Sequence, residues 1–156
     1  MLCLFFRVIP ALALVLLASA CATVPSSPFG TMGAVNRHAD GSSFTVYNRA
    51  GDNDFSAVTY VVPQTCFGRQ LAVSVEYRTS ALAGGTSSFH GVHVDYDMRH
   101  QGVTRYPLDY LADPAPHWQQ VSRLWFIPAD ASRVIVRFGL QGMTGRMDVR
   151  NIQVAC

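Results

Sequence analysis

The sequence predicts an all-β domain, a β-sandwich of jelly-roll type with about eight antiparallel strands. Three observations carry this. Hydrophobicity alternates with a period of two over much of the chain from residue 71 onward, clusters of Gly, Pro, Asp and Asn interrupt it at short intervals, and no segment shows a helical apolar stripe. Successive strand side chains point to opposite faces, so alternation means one buried face and one wet face. Many short strands separated by turns pack as two sheets around one core.

The chain begins with a segment that stands outside this pattern. Residues 1–20, MLCLFFRVIPALALVLLASA, carry Arg7 as their only charge. The apolar run 8–17 is too short to cross the ~30 Å of bilayer hydrocarbon at about 1.5 Å per residue. It suits the apolar region of a secretory signal, and Ala18, Ser19 and Ala20 supply the small residues of a cleavage site. Cys21 follows at once, and "LASAC" resembles a bacterial lipobox with Ala18 where Leu is more usual. A thiol at a new N terminus takes a diacylglyceryl group and anchors the chain; ordinary cleavage after Ala20, releasing a soluble periplasmic protein, is the other reading. The lipoprotein reading implies export and a lipid anchor in the bacterial cell envelope. Ala22 rather than Asp after the anchor is compatible with the outer membrane, facing the periplasm or the surface.

This division gives a signal peptide over 1–20, a lipid-anchored tether and lead-in over 21–41, and the sandwich domain over 42–156. Cys3 leaves with the signal and Cys21 is acylated, so Cys66 and Cys156 remain. An even pair in an oxidising compartment predicts a disulfide, two free buried thiols being the alternative. Removing Arg7 from 12 basic residues leaves 11 against 10 acids, all the bases being Arg. A formal charge of +1 and no like-charged block give no push toward nucleic acid.

Within the domain, LAVSVEYR (71–78) sets Leu71, Val73, Val75 and Tyr77 against Ala72, Ser74, Glu76 and Arg78. GVHVDYDM (91–98) sets Val92, Val94, Tyr96 and Met98 against Gly91, His93, Asp95 and Asp97. RVIVRFGL (133–140) places Val134, Val136, Phe138 and Leu140 on one face. Weaker strands are expected at 43–48, 57–62, 103–108, 118–127 and 146–154, with turns at 50–54, 81–85, 112–116, 128–132 and 142–145. In the last strand Met147 and Val149 share one parity and Ile152 and Val154 the other, which predicts a bulge near Arg150 and Asn151.

The stretch WQQVSRLWFIPADASRVIVRFGLQGMTGRMDVRNIQV (118–154) resembles the end of galactose-binding-like jelly rolls, among them the carbohydrate-binding modules of xylanases and glucanases. Trp118, Val121, Trp125, Ile127 and Pro128 match the first part of that pattern. Ala131, Val134, Val136, Gly142 and Gly145 match the following strand and turn. The resemblance, over about 42–154, implies the fold, puts Trp118, Trp125 and Tyr96 in the core, and implies carbohydrate as the leading ligand class. Where the pattern carries an acidic pair, which often helps hold a structural calcium ion, this chain has Arg150 and Asn151. A guanidinium cannot ligate a cation, so the sequence argues against that ion and no cofactor is expected.

FHGVHVDYDMRH (89–100) holds three His and two Asp, but His90 and His93 fall on opposite strand faces and cannot share an ion without a bulge. His93 and Asp95 share a face and lack a third ligand, so no metal site is expected. A glycosidase needs two carboxylates about 5 to 10 Å apart across a cleft. Glu76, Asp95 and Asp97 share the outer parity of their strands, as ordinary sheet surfaces also do, and no enzyme activity is expected. For sugar binding, aromatic rings supply flat apolar surface and polar side chains bond hydroxyls. Tyr106, Tyr110 and Phe126 are the aromatic candidates, with Glu76, Arg78, His93, Asp95, Arg123 and Arg137 as a polar floor. The expected function is a non-catalytic envelope module that binds glycan. The alternative is a structural or protein-interaction lipoprotein that uses the same sheet.

Overall fold

The computed structural model describes residues 27–49, 55–84 and 89–156. The signal segment, Cys21 with the first part of the tether, and the turn at 50–54 lie outside the described residues. Eleven strands follow one another there: β1 (Phe29–Met32), β2 (Ala34–Arg37), β3 (Phe44–Asn48), β4 (Phe55–Val61), β5 (Gln70–Gly84), β6 (Gly91–His100), β7 (Val103–Arg105), β8 (Leu111–Ala112), β9 (Gln119–Phe126), β10 (Ala131–Gln141) and β11 (Met143–Ala155). One 3₁₀ turn, Gln64–Cys66, precedes β5. The first sheet runs β1-β4-β10-β6-β7 with β8 also on β6, and the second runs β2-β3-β11-β5-β9. Every strand pairing is antiparallel.

The period-two faces bury as the sequence predicts. Leu71, Val73, Val75 and Tyr77 of β5 meet Val92, Val94, Tyr96 and Met98 of β6 and Val134, Val136, Phe138 and Leu140 of β10 in one core. Burying each aliphatic side chain contributes roughly 1.5–3 kcal/mol, which is what fixes the faces of these strands. Tyr96 and Trp125 join the two sheets edge to face, ring centroids 5.0 Å apart. Burial pushes the phenol pKa of Tyr96 up, and also that of Tyr77, whose hydroxyl donates to the Asp113 carbonyl at 2.8 Å.

The count is eleven strands rather than about eight, and the difference has physical causes. Residues 29–37, read as lead-in, are two edge strands, one in each sheet. The chain crosses between the sheets at Gly33, whose φ is +68° and whose missing side chain would lie 2.4 Å from Ser56 Oγ. Phe29 packs on Phe44 and Tyr60, with ring centroids at 5.9 and 5.6 Å, and needs no period to hold it. The third addition, β8, pairs with the free side of β6, as does the expected strand at 103–108, which is shortened to Val103–Arg105 as β7.

The predicted bulge is present. The ladder between β11 and β5 shifts between Arg150 and Gln153, and Asn151 adopts a φ of 51°. The disulfide is formed: Cys66 and Cys156 are bonded with Cα atoms 5.4 Å apart, joining the 3₁₀ turn to the residue after β11. Trp118 departs from the expected core. It is half-buried just before β9 and lies against the guanidinium groups of Arg78 and Arg150.

Candidate functional site

The outer face of the first sheet carries a cleft. His93 on β6 pairs with Gly139 on β10, where a Cβ would lie 2.1 Å from the Ser56 carbonyl oxygen, so only glycine admits this close approach of β4. Beside it lies a cleft of about 360 Å³, lined among others by Phe55, Phe89, Asp95, Tyr106, Tyr110 and Arg137.

Its floor is a closed polar network. Asp95 and Arg137 face each other in register on β6 and β10. Arg137 donates to Asp95 from Nε at 2.9 Å and from a terminal amino group at 2.6 Å, the fork matching both carboxylate oxygens. His93 Nδ1 lies 3.2 Å from Asp95 Oδ2, while its Nε2 donates to the Phe89 carbonyl at 3.0 Å. His93 and Asp95 are only 2% and 1% exposed, so they are not the solvent-facing strand residues that alternation suggests. Aromatic rings roof them over. Tyr110 stacks on His93 at 5.6 Å and Phe89 on Tyr110 at 6.4 Å. The Arg137 guanidinium lies 4.7 Å from the centre of the Phe55 ring and 5.1 Å from that of Tyr106.

The walls come from 106–110, which lie outside the strands although the sequence predicts a strand over 103–108. Tyr110 is fixed by its own carbonyl, which accepts from Val94 N at 3.1 Å. Arg123 of β9 reaches the same segment, donating to the Leu111 carbonyl at 3.2 Å with Asp109 at 3.6 Å. It props the wall from outside rather than joining the floor. Tyr106 stays 53% exposed, an open ring held over a fixed cation.

Five sequence candidates therefore meet in one place: His93, Asp95, Tyr106, Tyr110 and Arg137. Four others do not, Arg123 among them. Arg78 and Glu76 face outward from β5 in the second sheet, and Phe126 is exposed at the end of β9 in that same sheet. Their outward parity is the one alternation predicts, but parity does not say which of two sheets a strand joins. Phe55 and Phe89 complete the cleft and escaped the sequence reading. Phe55 directly follows the Asp- and Gly-rich stretch 50–54, and Phe89 precedes the alternating strand 91–98, so neither falls within an alternating segment.

The outer face of the second sheet carries a different network. Asp148 of β11 accepts from Thr45 Oγ1 at 2.8 Å, Arg78 Nε at 2.9 Å and Arg146 Nε at 2.8 Å. Burial alone would raise its pKa, but these hydrogen bonds outweigh it and hold the carboxyl below its ordinary range. Glu76 accepts from Asn151 at 2.9 Å and Arg150 at 2.8 Å, and these bonds lower its pKa too. Among the described residues no group of three or more His, Cys, Asp or Glu is placed to share a metal ion.

No family model and no curated protein matches the sequence. Solved structures do match the fold. The C-terminal family 22 carbohydrate-binding module of Clostridium thermocellum Xyn10B superposes with a TM-score of 0.58 at 17% identity, over 82% of this chain and 84% of that one. The CBM22-1 xylan-binding domain of Paenibacillus barcinonensis Xyn10C gives 0.56 at 11% identity, over 81% and 83%. A family 16 carbohydrate-binding module gives 0.53 at 10% identity, over 83% and 86%. The sandwich thus has the jelly-roll fold of these modules, as the C-terminal motifs imply.

Proposed function

We propose that this chain is a non-catalytic binding module that takes a carbohydrate in the cleft of the first sheet. One observation carries the reading: the exposed Tyr106 ring lies over an Arg137 already locked by Asp95, so an apolar platform and fixed polar groups stand ready side by side. Such a site loses little on binding, because its side chains are ordered beforehand. The similar structures support the ligand class, since two of them are named for xylan or for ligand binding in a cleft. Xylan is therefore the first polymer to test. The cleft also argues against catalysis. Asp95 is buried and held by Arg137, Glu76 belongs to the opposite sheet, and a free pair of carboxylates is what hydrolysis would need.

A glycan array with the soluble domain tests this. Tyr106→Ala is expected to weaken binding by roughly ten- to a hundredfold through loss of the ring platform, with the fold unchanged. Phe126→Ala should leave binding intact. A blank array would favour the second reading, a protein-interaction module. Leu124 and Phe126, both exposed on the outer face of β9, supply the apolar surface for that.

The proposal extends to the envelope. A lipid anchor at Cys21 would hold the module at a bacterial membrane, with the domain in the periplasm or at the surface. The intact mass of detergent-extracted protein checks it: a chain starting at Cys21 and carrying acyl groups is expected, whereas an unmodified chain starting there would give the soluble alternative.

A further inference from the structure

The outer face of the second sheet holds a groove of about 400 Å³ lined by Arg78, Arg146, Arg150, Trp118, Ser43 and Asn151, among others. Strand geometry puts the cations together. Arg146, Asp148 and Arg150 alternate along β11 on one face, while β5 pairs Arg78 with Asp148 and Glu76 with Arg150. Three guanidinium groups thus surround two carboxylates.

Burial decides which sign the groove presents. The side chains of Arg78, Arg146 and Arg150 are 45%, 43% and 43% exposed, against 10% for Asp148 and 29% for Glu76. Asp148 and Glu76 lie beneath and the three cations stand above them, while the exposed Asp40 also lines the groove and offsets one of the three positive charges. Arg78 and Arg150 each give Nε to a carboxylate, the geometry that fixes a guanidinium and leaves its outer edge for another acceptor. Both also lie against the indole of Trp118, with Cζ 4.8 and 3.9 Å from a ring centre. A cation–π contact of this kind uses none of a guanidinium's N–H donors. Asp40, which also lines the groove, is held ionised by Ser43 and Ser42, and its pKa is lowered to about 2.

We propose that this groove is a second binding site, for the carboxylate of an acidic sugar, with Arg78 and Arg150 as the paired donors and Trp118 as their support. The carboxylate is favoured because both guanidinium groups already meet planar two-oxygen acceptors in the protein itself. The sugar is favoured because Ser42, Ser43 and Asn151 bring small hydroxyl and amide groups to the same groove, suited to ring hydroxyls rather than to an apolar ligand. The site is separate from the cleft and stands or falls without it.

The test is a titration of the domain with oligosaccharides of glucuronic and galacturonic acid, with their neutral counterparts and with inorganic phosphate. It is followed by the NMR signals of the arginine Nε–H and indole N–H groups. Expected is saturable movement of the Arg78, Arg150 and Trp118 signals with the uronates, weaker or absent with neutral sugars and phosphate. Arg78→Gln and Arg150→Gln, each checked for native dispersion of the spectrum, should weaken uronate binding roughly ten- to a hundredfold. Phosphate binding as tightly as uronate would overturn the sugar assignment. No movement at millimolar uronate would overturn the site. Loss of uronate binding in Tyr106→Ala would move the ligand to the cleft and overturn it equally.

Discussion

Asp95→Ala is expected to destabilise the domain by about 3–5 kcal/mol and to abolish ligand binding in the cleft. The carboxylate is buried, accepts two hydrogen bonds from Arg137 and faces His93 Nδ1. Removing it leaves a mostly buried guanidinium with no counter-charge, and that cost exceeds the net worth of the pair. Asp97→Asn is the matched control. Asp97 sits two residues along the same face, is more exposed and is 4.0 Å from Arg133, so the change should cost less than about 1 kcal/mol. Urea denaturation measures both. A double replacement, Asp95→Leu with Arg137→Met, separates stability from function. Two apolar groups of similar volume should recover much of the lost stability, because a buried ion pair is often no better than a packed apolar one. Binding should stay absent, since the fixed donors beneath Tyr106 are gone. Recovery of binding in the double variant would mean that the network serves folding alone.

The contrast between Asp95 and Asp97 also shows where sequence reading stops. Both sit at outer positions of one alternating strand, and alternation assigns both to solvent. Asp95 is buried because β10 sets Arg137 opposite it and because Tyr106, Tyr110 and Phe55 close over the pair, contacts between segments far apart in the chain. Period and turn chemistry are local, so the inward faces of β5, β6 and β10 and the bulge near Asn151 were legible. The edge strands β1 and β2 were not. They are short, carry little buried apolar surface and owe their place to Gly33 and Phe29. The same limit split the expected polar floor. Glu76 and Arg78 have the right parity, yet β5 pairs with β11 and β9 rather than with β6. Trp118 fits a core position of the motif it resembles but lies outside the core, with the Arg150 guanidinium 3.9 Å from its ring centre.

Replacing both cysteines, Cys66→Ala with Cys156→Ala, should lower stability by about 4.6 kcal/mol, the chain-entropy expectation for a bridge with a sequence separation of 90. For a domain of this size that is a fall in Tm of roughly 10–20 °C. Topology says where the loss should concentrate. Up to Val149, β11 is clamped between β3 and β5, but its pairing with β3 ends there at Phe44. Beyond the bulge, residues 153–155 pair only with β5, and the disulfide is what ties their end to the 3₁₀ turn. Amide exchange should therefore quicken most at 152–155, while Arg137 and Asp95, in the other sheet, keep their protection below the transition. Ligand binding in the cleft should survive the double replacement at low temperature. Uniform loosening of both sheets would instead mean that the bridge holds the sandwich together as a whole. An unchanged Tm would mean that the β5–β11 ladder suffices without it.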